Sequence, residues 1–366
     1  MYTIILVFAI LISLVVIHEL GHFVAAKLFG IRVDEFGVGY PPRALTFGRW
    51  GGTEYTLNWL PFGGFVRLWG EGDESGNDPR GFVHAVWYKQ VIVLIAGIVM
   101  NMLVAWLLFT VALHLGIPRE VEDTASATDL AHAQLIVTDV YPASPAAVAG
   151  VKAGDTIISI ADQGGMVLTR PATSVFVAFV RSHLGKPLLL TFAHTKATTT
   201  ATMIPVNAVI PNAPAQPALG IGLRLTTTTP LPWQDACVLA LDNTKNAFLT
   251  IGYELFDLLR QLMYRTADLS GLVGPVGLVG VVHDASQNGW GTIFALAGFI
   301  SINLAIINSL PIPALDGGRI VVVIIEMIIR RRLPALVVHI VSLAGVILIV
   351  GLMIVVTYHD VARLFT

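Results

Sequence analysis

The sequence predicts a polytopic α-helical membrane protein of about four transmembrane helices carrying one β-rich extramembrane domain. Three observations carry that expectation. Hydrophobic residues make up 55% of the chain and charged residues only 13%, about half the charged share of an average soluble domain. The mean hydropathy is +0.75. Four apolar segments are also long enough to cross roughly 30 Å of hydrocarbon, which takes about 20 residues. The 366 residues would allow two or three soluble domains, but this composition excludes an ordinary soluble enzyme. It also excludes disorder, which needs low hydrophobicity and high net charge. The 22 Lys+Arg against 24 Asp+Glu leave no basic excess, so no nucleic-acid partner is expected. The single cysteine, Cys237, excludes an internal disulfide and a Cys-rich zinc module.

The first span is Tyr2–Ile17, continuing through a polar interruption to Phe29. No Lys or Arg precedes Lys27 and no small-x-small site ends the run, so a retained helix is expected rather than a cleaved signal peptide. The second span, Val91–Leu113, has no charged residue. The third runs from about Gly291 to Leu315, and the fourth is Leu333–Thr357, interrupted by His339. Lys and Arg in short loops set orientation. Seven lie between Lys27 and Lys89, and Arg330, Arg331 and Arg332 join spans three and four. Both loops are expected in the cytoplasm of an inner- or plasma-membrane protein. Both termini and the segment Gly116–Asn288 would then be extracytoplasmic.

Within that segment, residues 130–206 alternate β-rich runs such as Gln134–Val140 and Thr156–Ile160 with Gly/Pro turns, the pattern of a small β domain. A linker with interfacial helices is expected over 207–288, beginning in the Pro-rich Pro205–Pro217. Trp233–Tyr264 places Leu241, Phe248, Leu255, Leu258 and Leu262 opposite Asp242, Lys245, Asp257 and Arg260, which suits an amphipathic surface helix. Leu269–Val282 is apolar, short and Gly-rich, and reads as a re-entrant or interfacial element. The membrane parts are therefore 1–115 and 289–366.

Chemistry concentrates at His18-Glu19-Leu20-Gly21-His22, an H-E-x-x-H motif on a helix. Residues four apart share a helical face, so both imidazoles can reach one metal with the glutamate beside them. Each ionisable group inside a membrane helix costs at least ~2.5 kcal/mol, and three in five residues demand compensation. The bland alternative is a helix end snorkelling into water. Catalytic zinc usually takes three protein ligands and leaves one position open. The best remaining carboxylate is Asp316, in Asn308-Ser309-Leu310-Pro311-Ile312-Pro313-Ala314-Leu315-Asp316-Gly317-Gly318. Its prolines and glycines break the helix, which membrane depth tolerates only where protein or a polar cavity covers the break. Glu326 competes from the more regular helix beyond and ranks below Asp316.

With these two motifs, the sequence resembles the site-2 protease family of intramembrane zinc metalloproteases (peptidase family M50), and within it the bacterial regulator-of-sigma-E protease branch. The resemblance implies one zinc ion held by His18, His22 and Asp316, with Glu19 as the catalytic glutamate. Phe36–Pro41 and Pro61–Leu68 resemble the family's re-entrant β-hairpin loops on the cytoplasmic side, where Gly63 and Gly64 are expected to meet substrate. Asn303 and Asn308 match asparagines placed near the substrate. Gly97–Asn101 is similar to a second-span glycine/asparagine motif, with Ile98 where a proline is usual. Val137–Asp162 is similar to a PDZ module, with room for one where proteobacterial relatives commonly carry two.

The expected activity is cleavage of transmembrane segments of single-span membrane proteins in regulated intramembrane proteolysis. By family analogy the substrates are anti-sigma factors already trimmed by another protease, or signal-peptide remnants. Membrane lipid is the other expected partner. Two other classes compete: a catalytically silent PDZ-bearing scaffold, and a metal transporter. Three ligands plus a general base argue against the scaffold. A transporter would distribute polar and charged residues along its spans, whereas the ionisable side chains of spans two and four are only His114, near one end, and His339.

Overall fold

The computed structural model describes residues 2–70, 78–194, 197–207, 218–264 and 274–363. They form two compact units, one of residues 1–115 with 232–366 and one of residues 116–231.

In the first unit, α1 (Tyr2–Leu28) is followed by two long bent strands, β1 (Val33–Trp50) and β2 (Thr53–Leu68), and then α2 (Trp87–His114). The strands pair antiparallel in several registers. Glu35 is opposite both Arg67 and Glu54, and Arg43 is opposite Asn58. Each strand therefore folds over and supplies two stretches to one small sheet. Buried Glu35 clamps all four stretches. It accepts from Thr56 Oγ1 at 2.7 Å and pairs with Arg43 at 3.0 Å and Arg67 at 3.2 Å. An unpaired buried carboxylate would be costly, so these partners fix the register. The connection to α2 is pinned at Asp78, where hydrogen bonds from Arg80, then Arg32, hold the carboxyl down to about 2.

Beyond the second unit come α6 (Trp233–Met263), α7 (Pro275–Gln287), α8 (Trp290–Ser309), α9 (Asp316–Ile329) and α10 (Ala335–Arg363). Among the described residues, four helices are long and apolar enough to cross a membrane: α1, α2, α8 and residues 336–362 of α10. Ala25, Ala26, Ile31, Val33, Leu68, Val93, Leu94 and Val323 form one buried cluster joining α1, the hairpin, α2 and α9. The third span ends earlier than expected. Helix α8 stops at Ser309, and residues 310–315 turn with Ala314 at φ 80° before α9 begins at Asp316.

On α6, Leu241 is 58% exposed and Phe248, Leu255 and Leu258 are half-buried, whereas Ala236, Ala240 and Thr244 are buried. Small side chains every fourth residue let α6 lie close to α2, and Trp106 Nε1 donates to the Cys237 carbonyl at 3.0 Å. The side chain of Leu262 lies outside the described residues. The Leu269–Val282 element falls partly outside them as well. From Pro275 onward it is the regular helix α7, whose 13 residues span about 20 Å at 1.5 Å per residue, too short to cross.

The second unit is a β-rich module wider than the 130–206 anticipated. Its elements are β3 (Arg119–Glu120), α3 (Ala127–His132), β4 (Gln134–Val140), α4 (Pro145–Val148), β5 (Thr156–Ala161), β6 (Val167–Thr169), α5 (Thr173–Ser182), β7 (Leu188–His194), β8 (Ala197–Met203) and β9 (Ile221–Thr227). The sheet order is β3-β9-β4-β5-β7-β8, with β6 on β5. Leu135, Val137, Ile157, Ile160, Leu188 and Leu190 are among its core. The Pro-rich stretch does not lead out of the module. Val206 and Ala218 bond to each other at 3.0 and 3.1 Å, and β9 then inserts beside β4. Local alternation marks strands but not which strand fills a gap in the sheet, so β9 was read as linker. Residues 208–217 lie outside the described set.

Candidate metal centre

The H-E-x-x-H turn sits two-thirds of the way along α1, where the helix meets α2. His18 and His22 are both buried, as is Asp316 at the first turn of α9. One nitrogen from each histidine and one oxygen from Asp316 lie within 4.8 Å of one another. His18 Nε2 is 2.9 Å and His22 Nε2 3.2 Å from Asp316 Oδ2, and the two nitrogens are 3.1 Å apart.

The second ring nitrogen of each histidine says which face is free. His22 Nδ1 is 2.7 Å from the Val93 carbonyl and must donate to it, leaving a lone pair on Nε2. His18 Nδ1 is 3.2 Å from the Asn101 amide, whose Oδ1 is buried without a partner. Turned by 180° so that Oδ1 faces the ring, the orientation the hydrogen-bond network favours, Asn101 accepts from His18 Nδ1–H. Both Nε2 lone pairs then converge on a carboxylate oxygen. Three acceptors about 3 Å apart repel unless a cation sits among them. A tetrahedral zinc with bonds of 2.0–2.2 Å would set its ligands roughly 3.3 Å apart, so the donor set fits zinc in chemistry and spacing. Outer-shell partners of this kind orient ligating histidines.

Close approach of helices makes the cluster possible. A Cβ at Gly97 would lie 2.5 Å from His22 Nε2 and 2.7 Å from His18 Cε1. A Cβ at Gly317 or Gly318 would collide with the carbonyls of Leu310 or Ile312, so the broken segment folds directly onto the start of α9 and presents Asp316. Ser301 Oγ donates to the Asn101 carbonyl at 2.8 Å, fixing α8 against α2 at the same level.

Beside the cluster is a cavity of about 60 Å³ lined by Glu19, His22, Asp316 and Arg319, with Val66, Leu68 and Leu94 as its apolar wall. It is large enough and polar enough to hold water. Glu19 therefore faces the cavity and is not in the ligand set. Gly64 is beside it, since a Cβ there would be 3.7 Å from Glu19 Cγ, while Gly63 lies against Tyr40 and Val15. Asn308 Nδ2 is 3.5 Å from His18 Nε2. Asn303 is not brought to the cluster: it is exposed and donates to Phe299 O one turn back at 2.9 Å. Glu326 is elsewhere too, accepting from Leu333 N–H at 2.9 Å. Arg319, a cation one turn beyond Asp316 in an apolar helix, lines the same cavity. The Val93 carbonyl carries no sequence signal, being backbone.

Comparisons with known proteins agree with this geometry. The profile of Peptidase family M50 matches residues 6–352. A Clostridium perfringens protein named provisionally as a zinc metalloprotease is 33% identical over 97% of this chain and 98% of its own. A Nostoc protein with the same kind of name is 30% identical over 98% of this chain and 95% of its own. An Arabidopsis thaliana chloroplastic protein, named provisionally as a membrane metalloprotease, is 27% identical over 94% of this chain and 76% of its own. Among solved structures, the PDZ domain of a Listeria monocytogenes SdrC-like protein is similar to 24% of this chain, covering 85% of its own, at 22% identity and a TM-score of 0.20.

Proposed function

From the premise that the chain belongs to peptidase family M50 and is a zinc metalloprotease, we propose that it cuts peptide bonds inside membrane-spanning segments of single-span proteins. One observation carries this reading. The donor set His18, His22 and Asp316 is built on helices of membrane-crossing length and on the break that follows one of them, so the reacting bond must come to membrane depth.

When bound, zinc supplies a Lewis acid that polarises a peptide carbonyl and makes water a better nucleophile. The chain's own residues do the rest. Glu19, held at the edge of the cavity, accepts a proton from the attacking water and delivers it to the departing amine as the C–N bond breaks. The carbonyl carbon keeps the water oxygen, so acid and amine products balance the water consumed. A helical substrate hides its carbonyls in i→i−4 bonds and must be unwound first. Residues 64–68 of β2 pair with residues 33–38 and reach Glu19 at Gly64, so a substrate strand added along this stretch would be delivered to the cavity. Gly63, Gly64 and Asn308 are assigned to substrate on that basis. Asn303 has no such support.

Orientation follows the positive-inside bias: the hairpin and the arginine loop in the cytoplasm, the termini and the β-rich module outside. The module acts as a size filter that admits substrates already trimmed by another protease. Anti-sigma factors and signal-peptide remnants fit that description.

The test is Glu19→Gln in the full protein, reconstituted with a single-span test substrate. Zinc content should remain one per chain while cleavage is lost. Normal turnover by that variant would remove Glu19 from the mechanism. A wild-type protein that holds zinc and cuts no membrane segment would instead favour the silent scaffold.

A further inference from the structure

A second cavity, of about 200 Å³, opens where α9 ends and α2 begins. Arg330, Arg331 and Arg332 line it together with Trp87, and Val323 and Met327 supply apolar wall. Among its lining residues Glu326 is the sole acid, and its carboxylate is occupied by the Leu333 N–H. The protease mechanism uses none of these groups.

The depth of the cavity follows from the helices that bound it. Two membrane-length helices start at this level, α2 at Trp87 and α10 just after the arginines. The arginines therefore sit where a span meets the polar region of the bilayer, whichever side that is. Trp87 and Tyr88 are each nearly half exposed here, and such aromatics settle at headgroup level. Arg330 ends α9 in the left-handed conformation, φ 54°, which turns the chain so that three successive guanidinium groups surround one opening. Arg332 donates to the Val83 carbonyl. That carbonyl, with those of Phe82 and Ala85, also accepts from Gln90 Nε2, so the backbone rim is fixed by side chains from α2 and the loop.

We propose that this cavity binds the phosphate of an anionic phospholipid headgroup. Planar guanidinium groups match phosphate oxygens in pairs, and three arginines against one engaged carboxylate leave a net positive opening. The apolar wall continues along α9, where Ile324 and Ile328 are exposed and offer a surface to acyl chains. Free phosphate shares the headgroup chemistry but has nothing to place on that apolar surface. The lipid is therefore the occupant the lining favours. A bound lipid joins the end of α9, which carries Asp316 at its other end, to the start of α2, which carries the Val93 and Asn101 partners of the histidines.

The full-length protein, purified in neutral detergent, is titrated with phosphatidylglycerol, phosphatidylcholine or inorganic phosphate. Bound lipid is read by native mass spectrometry and the unfolding midpoint by melting. Phosphatidylglycerol should be retained and raise the midpoint, with phosphatidylcholine and phosphate doing neither. Arg331→Gln should weaken phosphatidylglycerol binding about fivefold, from the roughly 1 kcal/mol a basic residue contributes at an anionic surface. The triple variant R330Q/R331Q/R332Q should abolish the difference between the two lipids. Zinc content of both variants reports that the fold is kept, and the single variant decides the matter should the triple one not accumulate. Equal retention of both lipids, an unchanged affinity in Arg331→Gln, or protection by phosphate equal to that by phosphatidylglycerol would each overturn the lipid assignment.

Discussion

Replacing Gly97 by alanine adds one methyl group at the tightest point of the metal centre. Its Cβ would stand 2.5 Å from His22 Nε2, 2.6 Å from His22 Cε1 and 2.7 Å from His18 Cε1. Non-bonded carbon contacts are comfortable at roughly 3.5 Å, so about 1 Å must be found. The rings cannot supply it cheaply, because Val93 and Asn101 hold their far nitrogens. Helix α2 cannot supply it either without disturbing the bond from Ser301 to Asn101. Ligand positions in a metal site tolerate about 0.2 Å, and misplacement of reacting groups by 1 Å can cost on the order of 100-fold. Against this, Gly→Ala inside a helix favours folding by about 0.8–1 kcal/mol, so loss of protein is not the expected phenotype. The expectation is a folded, membrane-inserted chain with zinc well below one per chain and cleavage reduced at least about 100-fold. Metal analysis of the purified protein and turnover of a single-span test substrate read the two effects. Gly280→Ala is the control, since no heavy atom of the described residues lies within 4 Å of a Cβ there. Full zinc and near-normal turnover in Gly97→Ala would refute the helix packing on which the centre is built.

Three further outcomes follow from the same structure. Asn101→Leu removes the acceptor for His18 Nδ1–H and should weaken zinc binding about 10- to 100-fold, read by competition with a chelator; unchanged affinity would mean the amide does not orient the ring. Asp123 accepts from the Thr173 and Ser174 amides at 3.0 and 2.7 Å, capping α5, whose own Ala172 offers no side-chain cap, so Asp123→Ala should destabilise the β-rich unit by about 1 kcal/mol. Hydrogen bonds from Ser174, its side chain foremost, hold the Asp123 carboxyl below its ordinary value. The stabilisation is therefore complete above the unfolded value near 3.9 and fades as pH falls through the lower folded one, so the wild-type advantage in urea melts should persist at pH 5 and shrink progressively as pH falls below that unfolded value. Deleting residues 116–231 should leave zinc bound, since the three candidate ligands lie in the other unit, and should admit substrates with folded ectodomains that the full protein refuses; unchanged discrimination would count against a size filter.

What the sequence could and could not announce divides along physical lines. Span positions were legible because hydropathy is local: a run of apolar residues reports its own burial in lipid whatever its neighbours do. The histidine pair was legible because helical spacing places residues four apart on one face. Asp316 was legible through the helix-breaking prolines and glycines around it. The structure adds what depends on contacts between distant segments. Nothing in Glu35 says that it clamps four strand stretches, because its partners Arg43, Thr56 and Arg67 become partners only once the hairpin has folded over. The tight packing of the small residues of α6 is silent in the sequence for a related reason. A leucine stripe advertises burial by its transfer energy, whereas Ala236 and Ala240 contribute little of that and are buried because α2 comes close enough to exclude everything larger. β9 shows the same logic at the level of topology, since its alternation marks a strand while its place beside β4 is set by pairing across some 85 residues of chain. The metal centre joins both kinds of information. Its candidate ligands are written in motifs, but the Val93 carbonyl and the space at Gly97 belong to the α1–α2 contact alone. A substitution at either helix surface can therefore empty the site while leaving both motifs intact.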